Sequence, residues 1–170
     1  GGTTVPVTLR GDAGRDTLLG NAGNDSLLGG NGQDSLVGGD GNDIAYGGTT
    51  GDALFGDAGN DTLYGEDGND RFFGGMGNDL IFGGTGNDAM SGSAGFDTLN
   101  GGSGNDVMAG HFNADTFVFE DMTGGFGNDT INDFDAANHF ERIHLGGVSA
   151  ITDFADLMQN HVEQVGSAVV

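Results

Sequence analysis

An aspartate recurs every nine residues through most of this chain. It occupies the sixth position of twelve consecutive nine-residue repeats, or nonads, that run without insertion from Gly11 to Val118. The twelve residues are Asp16, Asp25, Asp34, Asp43, Asp52, Asp61, Asp70, Asp79, Asp88, Asp97, Asp106 and Asp115. Carboxylate oxygens without nitrogen or sulfur donors are typical ligands of hard cations, and Ca²⁺ accepts six to eight oxygens in flexible geometry. The spacing therefore predicts a series of calcium sites.

The other positions of the nonad predict how the chain holds these aspartates. Position 1 is Gly in all twelve nonads, and position 4 is Gly in ten, with Thr50 and Asn113 as the exceptions. We expect the backbone to adopt positive φ at both positions and to turn sharply there. Position 8 is always apolar. The last three residues of each nonad therefore predict a short strand whose central side chain points into a core.

One such strand buries almost nothing, so a complete coil needs two nonads. Stacked coils predict two parallel sheets that face each other, with the position-8 side chains between them, in a rod about 29 Å long. Aspartates of nonads n and n+2 then fall on the same edge, as two ladders of carboxylates about 4.8 Å apart. Neighbouring charges at this distance repel by about 0.9 kcal/mol even in water. Cations between adjacent same-edge pairs, from Asp16/Asp34 to Asp97/Asp115, relieve this repulsion, and these pairs allow ten interior sites.

The composition agrees with a cation-binding repeat and excludes several other classes of protein. The 170 residues include 26 Asp or Glu, 4 basic residues, 37 Gly and no Cys, and the formal net charge is −22. A surface this acidic repels nucleic acids, the chain has no basic cluster for anionic membranes, and no apolar run is long enough to span a bilayer. The absence of Cys excludes disulfides and thiolate metal sites. Ten divalent cations carry about the charge needed to neutralise the chain.

The nonad resembles a known calcium-binding repeat. Residues 83–91, GGTGNDAMS, are similar to G-G-x-G-x-D-x-U-x, the repeat of the repeats-in-toxin (RTX, hemolysin-type) family. The resemblance implies an all-β, parallel β-roll solenoid with multiple Ca²⁺ in its turns, up to about ten, and the position-6 Asp as side-chain ligands. It also implies a secreted, extracellular protein whose partners are calcium ions, an upstream domain of the same protein and the type I secretion machinery.

The chain divides into three predicted segments. Residues 1–10 are a linker and capping strand, residues 11–118 are the β-roll of twelve nonads, and residues 119–170 are a C-terminal cap that the resemblance implies is truncated. The words ADTFVF and GNDTINDFD, from residues 114 and 127 onward, are similar to the caps of serralysin-type metalloproteases and of alginate epimerase R-modules. This likeness implies that Asp129, Asp133 and Asp135 are further calcium ligands or turn-forming residues.

Within the β-rich cap we expect strands and one short helix. Strands are predicted over residues 115–119, 127–135 and 141–145. Residues 152–166 have apolar side chains at the 3,4 spacing of an amphipathic helix, with Thr152 as the N-cap. Packing of this helix against the cap is the first interpretation, and binding of a partner is the alternative.

Aromatic side chains occupy outward positions in the middle coils. Two outer ladders are predicted, one on each sheet: Tyr46, Tyr64 and Phe82, and Val37, Phe55 and Phe73. Stacking between strands, which stabilises the sheets, accounts for both ladders. A docking surface for a neighbouring domain, another copy of the chain or a carbohydrate is the alternative.

No catalytic arrangement is visible in the sequence. The H-E-x-x-H motif of serralysin catalytic domains is absent, and the four His, at positions 111, 139, 144 and 161, are scattered. Twelve equivalent Asp do not provide the two different environments that general acid and base catalysis requires. The chain is therefore predicted to be a non-catalytic module.

Two functions stay open from the sequence. In the first, charge repulsion and a thin core leave the chain disordered without calcium. Calcium outside the cell then folds the module, which supports secretion and stabilises an attached domain. In the second, the rod is a polysaccharide-binding or adhesive spacer similar to an R-module. The four Arg are too scattered in the sequence to predict a cationic groove, so this second function rests on the aromatic ladders.

Overall fold

The chain winds into a solenoid of short strands that alternate between two facing sheets. The structure is a computed structural model that describes residues 4–120, 127–134, 141–146 and 162–164. These residues form sixteen strands and no helix, so no helix in them is able to span a membrane.

Twelve six-residue strands are followed by four shorter ones. The six-residue strands are β1 (Thr8–Ala13), β2 (Thr17–Ala22), β3 (Ser26–Asn31), β4 (Ser35–Asp40), β5 (Ile44–Thr49), β6 (Ala53–Ala58), β7 (Thr62–Asp67), β8 (Arg71–Met76), β9 (Leu80–Thr85), β10 (Ala89–Ala94), β11 (Thr98–Ser103) and β12 (Val107–Phe112). The shorter strands are β13 (Thr116–Glu120), β14 (Asp129–Ile131), β15 (Arg142–Gly146) and β16 (Val162–Gln164).

Odd-numbered and even-numbered strands form separate sheets. One sheet has the order β1-β3-β5-β7-β9-β11-β13-β15, and the other runs from β2 to β16 in the same alternating way. All neighbours are parallel, and the register between successive nonad strands is 18 residues, so that Leu27 lies opposite Leu9 and Ala45. One coil therefore contains two nonads. The predicted all-β, parallel β-roll solenoid is confirmed.

The core is a single row of position-8 side chains from each sheet. Eleven of them, from Leu27 to Phe117, are at most 4% exposed, while Leu9 and Leu18 at the N-terminal end are half-buried. Phe119 and Ile131, beyond the nonads, extend the same core. Because side chains alternate along a strand, positions 7 and 9 point outward. The predicted role of position 8 is confirmed.

The strands are twice as long as predicted, and this changes the role of position 1. Each strand runs from position 7 of one nonad to position 3 of the next, so the position-1 Gly lies inside a strand and its φ is not positive. The prediction of positive φ at position 1 is wrong. Gly is needed there for space, because a Cβ on Gly47 would lie 2.7 Å from Oδ2 of Asp52 and 2.9 Å from the carbonyl oxygen of Gly65.

The sharp turn uses positions 2 and 4 instead. Every position-2 residue has positive φ, including the non-Gly residues Asp57 (70°) and Glu66 (72°). Every position-4 residue does as well, including Thr50 (73°) and Asn113 (80°). The prediction for position 4 is therefore confirmed, and the role of position 2 is new. The β-branched Thr50 is strained, because its Cβ crowds the backbone in this left-handed conformation.

Both sheets continue beyond the nonads. Strands β13 and β15 confirm the strands predicted over 115–119 and 141–145, whereas in the described part of the strand predicted over 127–135, residues 127–134, only β14 forms. The helix predicted over 152–166 is wrong at its C-terminal end, because Val162–Gln164 form β16, which pairs with β14. Pairing with an open sheet edge outweighs the helical periodicity there. Residues 147–161 and 165–170 lie outside the described residues, and the three segment boundaries stay predictions.

The two outer aromatic ladders are confirmed. The rings of Tyr46 and Tyr64 stack with centroids 4.9 Å apart and planes 6° apart, and those of Tyr64 and Phe82 stack at 5.0 Å and 8°. On the other sheet Phe55 and Phe73 stack at 5.2 Å and 4°. Val37 extends this second ladder as the strand partner of Phe55. The faces of these stacked rings thus contact one another.

Candidate metal centre

The twelve ladder aspartates lie in the turns that lead into the strands. Eleven of them, from Asp25 to Asp115, are at most 4% exposed, and Asp16 at the N-terminal end is half-buried. Members 18 residues apart are neighbours in adjacent coils on the same edge. The two predicted ladders are therefore confirmed as an arrangement of residues. Their role as metal ligands stays a prediction.

In eleven of the twelve ladder carboxyl groups, from Asp25 to Asp115, one oxygen holds successive coils in register. Oδ1 of Asp70 accepts a hydrogen bond from the backbone N–H of Asp52 at 2.7 Å, and Oδ1 of Asp79 accepts one from Asp61 at 2.9 Å. The bond recurs up to Asp115, and the backbone N–H of Val7 donates to Asp25 at the N-terminal end. The ladders thus stabilise the solenoid as well as its turns.

The second oxygen has no such partner. Oδ2 of all twelve ladder aspartates is buried without a hydrogen-bond partner. Beside it lies a backbone carbonyl oxygen, as at Gly47, where Oδ2 of Asp52 and the carbonyl oxygen of Gly65 face the same small space. A buried carboxylate oxygen left alone costs about 1–3 kcal/mol or more. Each Oδ2 therefore needs either a proton or a cation.

Burial shifts the acid-base equilibrium of these groups. Loss of solvation raises the pKa of Asp52, Asp61, Asp88 and Asp97 from 3.8 to about 7, and that of Asp70 to about 6. For each carboxyl, the hydrogen bond from the preceding ladder backbone opposes the rise, and nearby acidic groups add to it. A folded chain without cations therefore holds protons on part of the ladder at neutral pH.

The donor atoms fit a hard divalent cation. Among the described residues, no three side chains of His, Cys, Asp or Glu converge, so a zinc-type site built from side chains alone is not formed there. The buried oxygens come instead from one carboxylate per turn and from backbone carbonyls. Oxygen donors in irregular number and geometry suit Ca²⁺ better than the strictly octahedral Mg²⁺.

Comparison with protein families agrees with this chemistry. The model of the RTX calcium-binding nonapeptide repeat matches four times, over residues 8–45, 46–81, 82–117 and 120–140. Together these matches cover well over half of the chain. The chain belongs to the RTX calcium-binding nonapeptide repeat family. RTX repeats bind Ca²⁺ and are not themselves catalytic, so calcium is confirmed as the cofactor.

Comparison with solved structures finds a neighbour of low similarity. The extracellular lipase LipA from Serratia marcescens is 20% identical over 83% of this chain, with a TM-score of 0.32. The chain spans 39% of the length of that lipase. No curated protein matches the sequence.

Asparagines at position 5 of the RTX repeats form a second set of ladders. Oδ1 of Asn42 accepts the backbone N–H of Asn60 at 2.8 Å, and Oδ1 of Asn69 accepts that of Asn87 at 2.7 Å. This role of Asn was not predicted, although the recurring sequence G-N-D indicates it. Where position 5 is Asn, these exposed bonds connect the turn to the next coil directly beside its ladder aspartate.

The acidic residues predicted beyond the RTX nonads have different roles. Asp129 is 2% exposed and its Oδ1 accepts the backbone N–H of Asp106 at 2.9 Å, as a ladder aspartate does. Asp133 instead accepts the backbone N–H groups of Gly110 (3.1 Å) and His111 (2.6 Å), which is the bonding of a turn-forming residue. Asp135 lies outside the described residues.

Proposed function

We propose that this chain is a calcium-triggered folding module of a secreted protein, with the twelve ladder aspartates, Asp16 to Asp115, as side-chain ligands. The observation that carries the proposal is the set of twelve Oδ2 atoms that are buried without hydrogen-bond partners. Burial of one such oxygen in every turn destabilises the solenoid until a proton or a cation compensates the charge of the carboxylate.

Without calcium, the residues of the ladders oppose folding. Each added coil in the middle of the roll buries two more carboxyl groups, such as those of Asp52 and Asp61, whose loss of solvation raises their pKa, and brings them close to others of the same charge. The compensating core is thin, since each strand contributes one position-8 side chain. We therefore expect the calcium-free chain to be disordered near neutral pH.

With calcium, the same residues favour folding. Bound Ca²⁺ supplies positive charge in the turns. The ladder aspartates offer Oδ2 and the position-1 glycines offer their carbonyl oxygens, while the Oδ1 hydrogen bonds hold adjacent turns at a fixed spacing. Because these oxygens converge only in the folded chain, the free energy of binding adds to the free energy of folding.

The folding switch suits a protein that is exported before it folds. Inside a cell, where free calcium is scarce, a disordered chain is able to pass through the type I secretion machinery. Outside the cell, calcium folds the module, and the resulting rod stabilises an attached domain of the same protein. Membership of the RTX family supports this proposal.

Circular dichroism in the far ultraviolet tests the switch directly. The chain should give a β-sheet spectrum in millimolar Ca²⁺, lose it in excess chelator and regain it when calcium is restored. Equimolar Mg²⁺ should restore little of the signal, because Mg²⁺ resists the dehydration that such sites require. A β-sheet spectrum that a strong chelator leaves unchanged would contradict the proposal.

A second candidate function is binding of an acidic polysaccharide, and one cleft favours it. Arg15 and Arg71, which are 56 residues apart in sequence, line the same open cleft of about 620 Å³ beside Phe55. Within the described residues, neither guanidinium group has a hydrogen bond or ion pair. The coils thus bring two distant Arg to one edge, in a cleft that Asp16, Asp34 and Asp52 also line.

Retention on an immobilised acidic polysaccharide in calcium buffer separates the two functions. If the cleft binds the polysaccharide, the double variant Arg15→Gln/Arg71→Gln should no longer be retained. Arg10→Gln is the matched control, since Arg10 is already paired with Asp12 at 3.2 Å. A variant with Ser at Tyr46, Tyr64 and Phe82 tests the aromatic ladder as the alternative surface. Equal retention of all variants, or none by the unaltered chain, would contradict this second function.

A further inference from the structure

We infer that one edge of the solenoid is a docking surface for a second copy of this chain, which packs there with two-fold symmetry so that the two rods are antiparallel. This surface, the apolar edge, consists of Met76, Ala94, Phe96 and Phe112. The inference goes beyond the proposed function, because these residues are neither ladder aspartates nor part of the arginine cleft.

The apolar edge exposes three large side chains in consecutive coils. Met76 at the end of β8 is 64% exposed, Phe112 at the end of β12 is 71% exposed, and Phe96 in the turn after β10 is 63% exposed. At about 200 Å² for each such side chain, they present about 400 Å² of apolar surface to solvent. A patch of this size on a soluble protein is typical of an interaction site.

Phe96 stands where the repeat otherwise has Asn. On this edge, position 5 of the four preceding coils is Asn24, Asn42, Asn60 and Asn78. The backbone N–H of Phe96 donates to Oδ1 of Asn78 at 2.9 Å, so Phe96 takes the next place in that asparagine ladder. Its own side chain is unable to accept a hydrogen bond from the following coil. The exposed ring thus interrupts a stabilising ladder and adds little packing within the chain.

A notch lies beside Phe96 on the same edge. The small residue Ala94 is the strand partner of Met76 on one side and of Phe112 on the other. Because neighbouring strands are about 4.8 Å apart, these two larger residues flank Ala94 at about 10 Å from each other. The rings of Tyr46 and Tyr64 stack at 4.9 Å on successive strands. One aromatic ring therefore fits the width of the notch.

The ring and the notch make the apolar edge complementary to itself. Phe96 and Ala94 are two residues apart in one turn, so they lie at the same height along the rod. A two-fold axis perpendicular to the rod at this height brings Phe96 of each copy to the notch of the other, and the rods are then antiparallel. An isologous interface requires such a self-complementary surface.

The local charge favours a second copy over a basic partner. Positions 2–5 of the three turns, residues 75–78, 93–96 and 111–114, contain no Asp or Glu, although the chain has a net charge of −22. Their one ionisable side chain is His111, whose Nδ1 lies 3.7 Å from Oδ2 of Asp133. Two copies therefore meet at these turns without bringing acidic side chains of the turns together, and a basic partner finds no acidic group in them.

The area of the apolar edge predicts a reversible dimer. Two such surfaces together bury about 800 Å² of these side chains, which is less than the roughly 1,200–2,000 Å² of stable interfaces. Sedimentation velocity of the full chain in saturating calcium, at concentrations up to the millimolar range, should therefore show a monomer that converts to a dimer as the concentration rises.

Three variants locate the contact. Phe96→Asn restores the residue type of the preceding coils and should raise the dissociation constant on the order of 100-fold, because burial of two rings is lost. Ala94→Leu fills the notch and should also weaken the dimer. Leu19→Asn is the matched control, because Leu19 is 53% exposed on β2, four strands away from β10 in the same sheet, and it should leave the dimer unchanged.

A spin label tests the antiparallel arrangement. The chain has no Cys, so Asn24→Cys gives a single attachment site, four coils from Phe96 on the same edge. In an antiparallel dimer the two labels should be about 40 Å apart along the rods, whereas in a parallel dimer they would lie close together. Double electron–electron resonance measures this distance.

The outcomes decide the inference as follows from the contacts. A chain that stays monomeric at all concentrations, or a dimer that is equally strong in Phe96→Asn and Ala94→Leu, overturns it. Growth beyond a dimer, or labels that lie close together, overturns the two-fold antiparallel packing. Circular dichroism in calcium checks that each variant is folded, and if Phe96→Asn is not, the strength of the Ala94→Leu dimer decides.

Discussion

The backbone N–H of Asp61 donates a hydrogen bond of 2.9 Å to Oδ1 of Asp79, one coil further along the same edge, while Oδ2 of both residues has no hydrogen-bond partner. One carboxyl group thus has two separate tasks. Oδ1 sets the register between coils, and the buried Oδ2 requires a proton or a cation beside it. Stability of the solenoid and occupancy of its turns are therefore coupled through the same side chains.

This coupling predicts that Asp61→Asn has opposite effects with and without calcium. In calcium, the variant should lose about two bound ions and unfold more easily, because Asp61 borders two sites of its ladder. In chelator above pH 7, it should form β-structure more readily than the unaltered chain, because a buried charge with a pKa of about 7 is removed. Calcium titrations followed by circular dichroism measure both effects.

The exposed residue Asp40 provides the matched control for this change. Asp40→Asn removes the same charge from the chain but no buried oxygen, so it should alter neither the number of bound ions nor the calcium-free spectrum. A loss of stability by Asp61→Asn in both conditions would mean that the Oδ1 hydrogen bond dominates and that the second oxygen has no role.

The raised pKa values predict that acid partly replaces calcium. Burial raises the pKa of Asp52, Asp88 and Asp97 to about 7, whereas the unfolded chain has values near 4. Between these limits the folded, calcium-free chain binds more protons than the unfolded chain, so its stability falls as the pH rises from about 4 to 7 and is lowest above 7. The β-sheet signal in chelator should therefore increase when the pH is lowered from 8 to 5.

The same pH scan in moderate calcium serves as the control. There the trend should reverse, because protons compete with calcium for the ladder carboxylates and raise the calcium concentration needed for folding. A calcium-free chain that loses β-structure on acidification would show that ladder protonation does not stabilise the fold.

Thr50 is a site where the fold should be easy to stabilise. Its φ of 73° is unfavourable for a β-branched residue and favourable for Gly, which ten of the twelve nonads have at this position. We expect Thr50→Gly to raise the free energy of unfolding in saturating calcium by about 1 kcal/mol. Urea denaturation measures it. Thr62→Gly, at the start of β7, should instead lower stability by about 0.5–1 kcal/mol, since Gly weakens a regular strand. Equal effects of the two variants would rule out strain at Thr50.

The aromatic ladder on the β5, β7 and β9 face should stabilise the solenoid in proportion to ring contacts. Tyr64 stacks on two rings, those of Tyr46 and Phe82, whereas Tyr46 stacks on one. At about 0.5–1.5 kcal/mol per aromatic pair, Tyr64→Leu should cost about 1–3 kcal/mol and Tyr46→Leu about half as much. Urea denaturation in saturating calcium measures the difference, and the number of bound ions should not change. Unchanged stability in both variants would favour a docking role for this face.

Much of the fold was predictable because the nine-residue repeat specifies the contacts between neighbouring coils. Each coil contacts little beyond its neighbours, so a nine-residue period specifies the core residues such as Leu63, the ladder residues such as Asp61 and the stacking of Tyr46 on Tyr64. The glycine roles were harder to predict. Position 1 proved to lack space for a side chain, and the positive φ lies at position 4, as predicted, and at position 2, where Asp57 and Glu66 adopt it. Residue type alone does not distinguish a turn from close packing.

The sequence by itself determined the period, the apolar core, the two rows of aspartates and the oxygen chemistry that suits calcium. These features are local, because neighbouring coils repeat the same contacts. Only the tertiary structure decided that Arg15 and Arg71 share a cleft, that Val162–Gln164 form a strand and that Asp129 rejoins its ladder. The strand and the ladder position depend on where the chain returns to the sheets after an insertion, and the nine-residue spacing does not encode that meeting point.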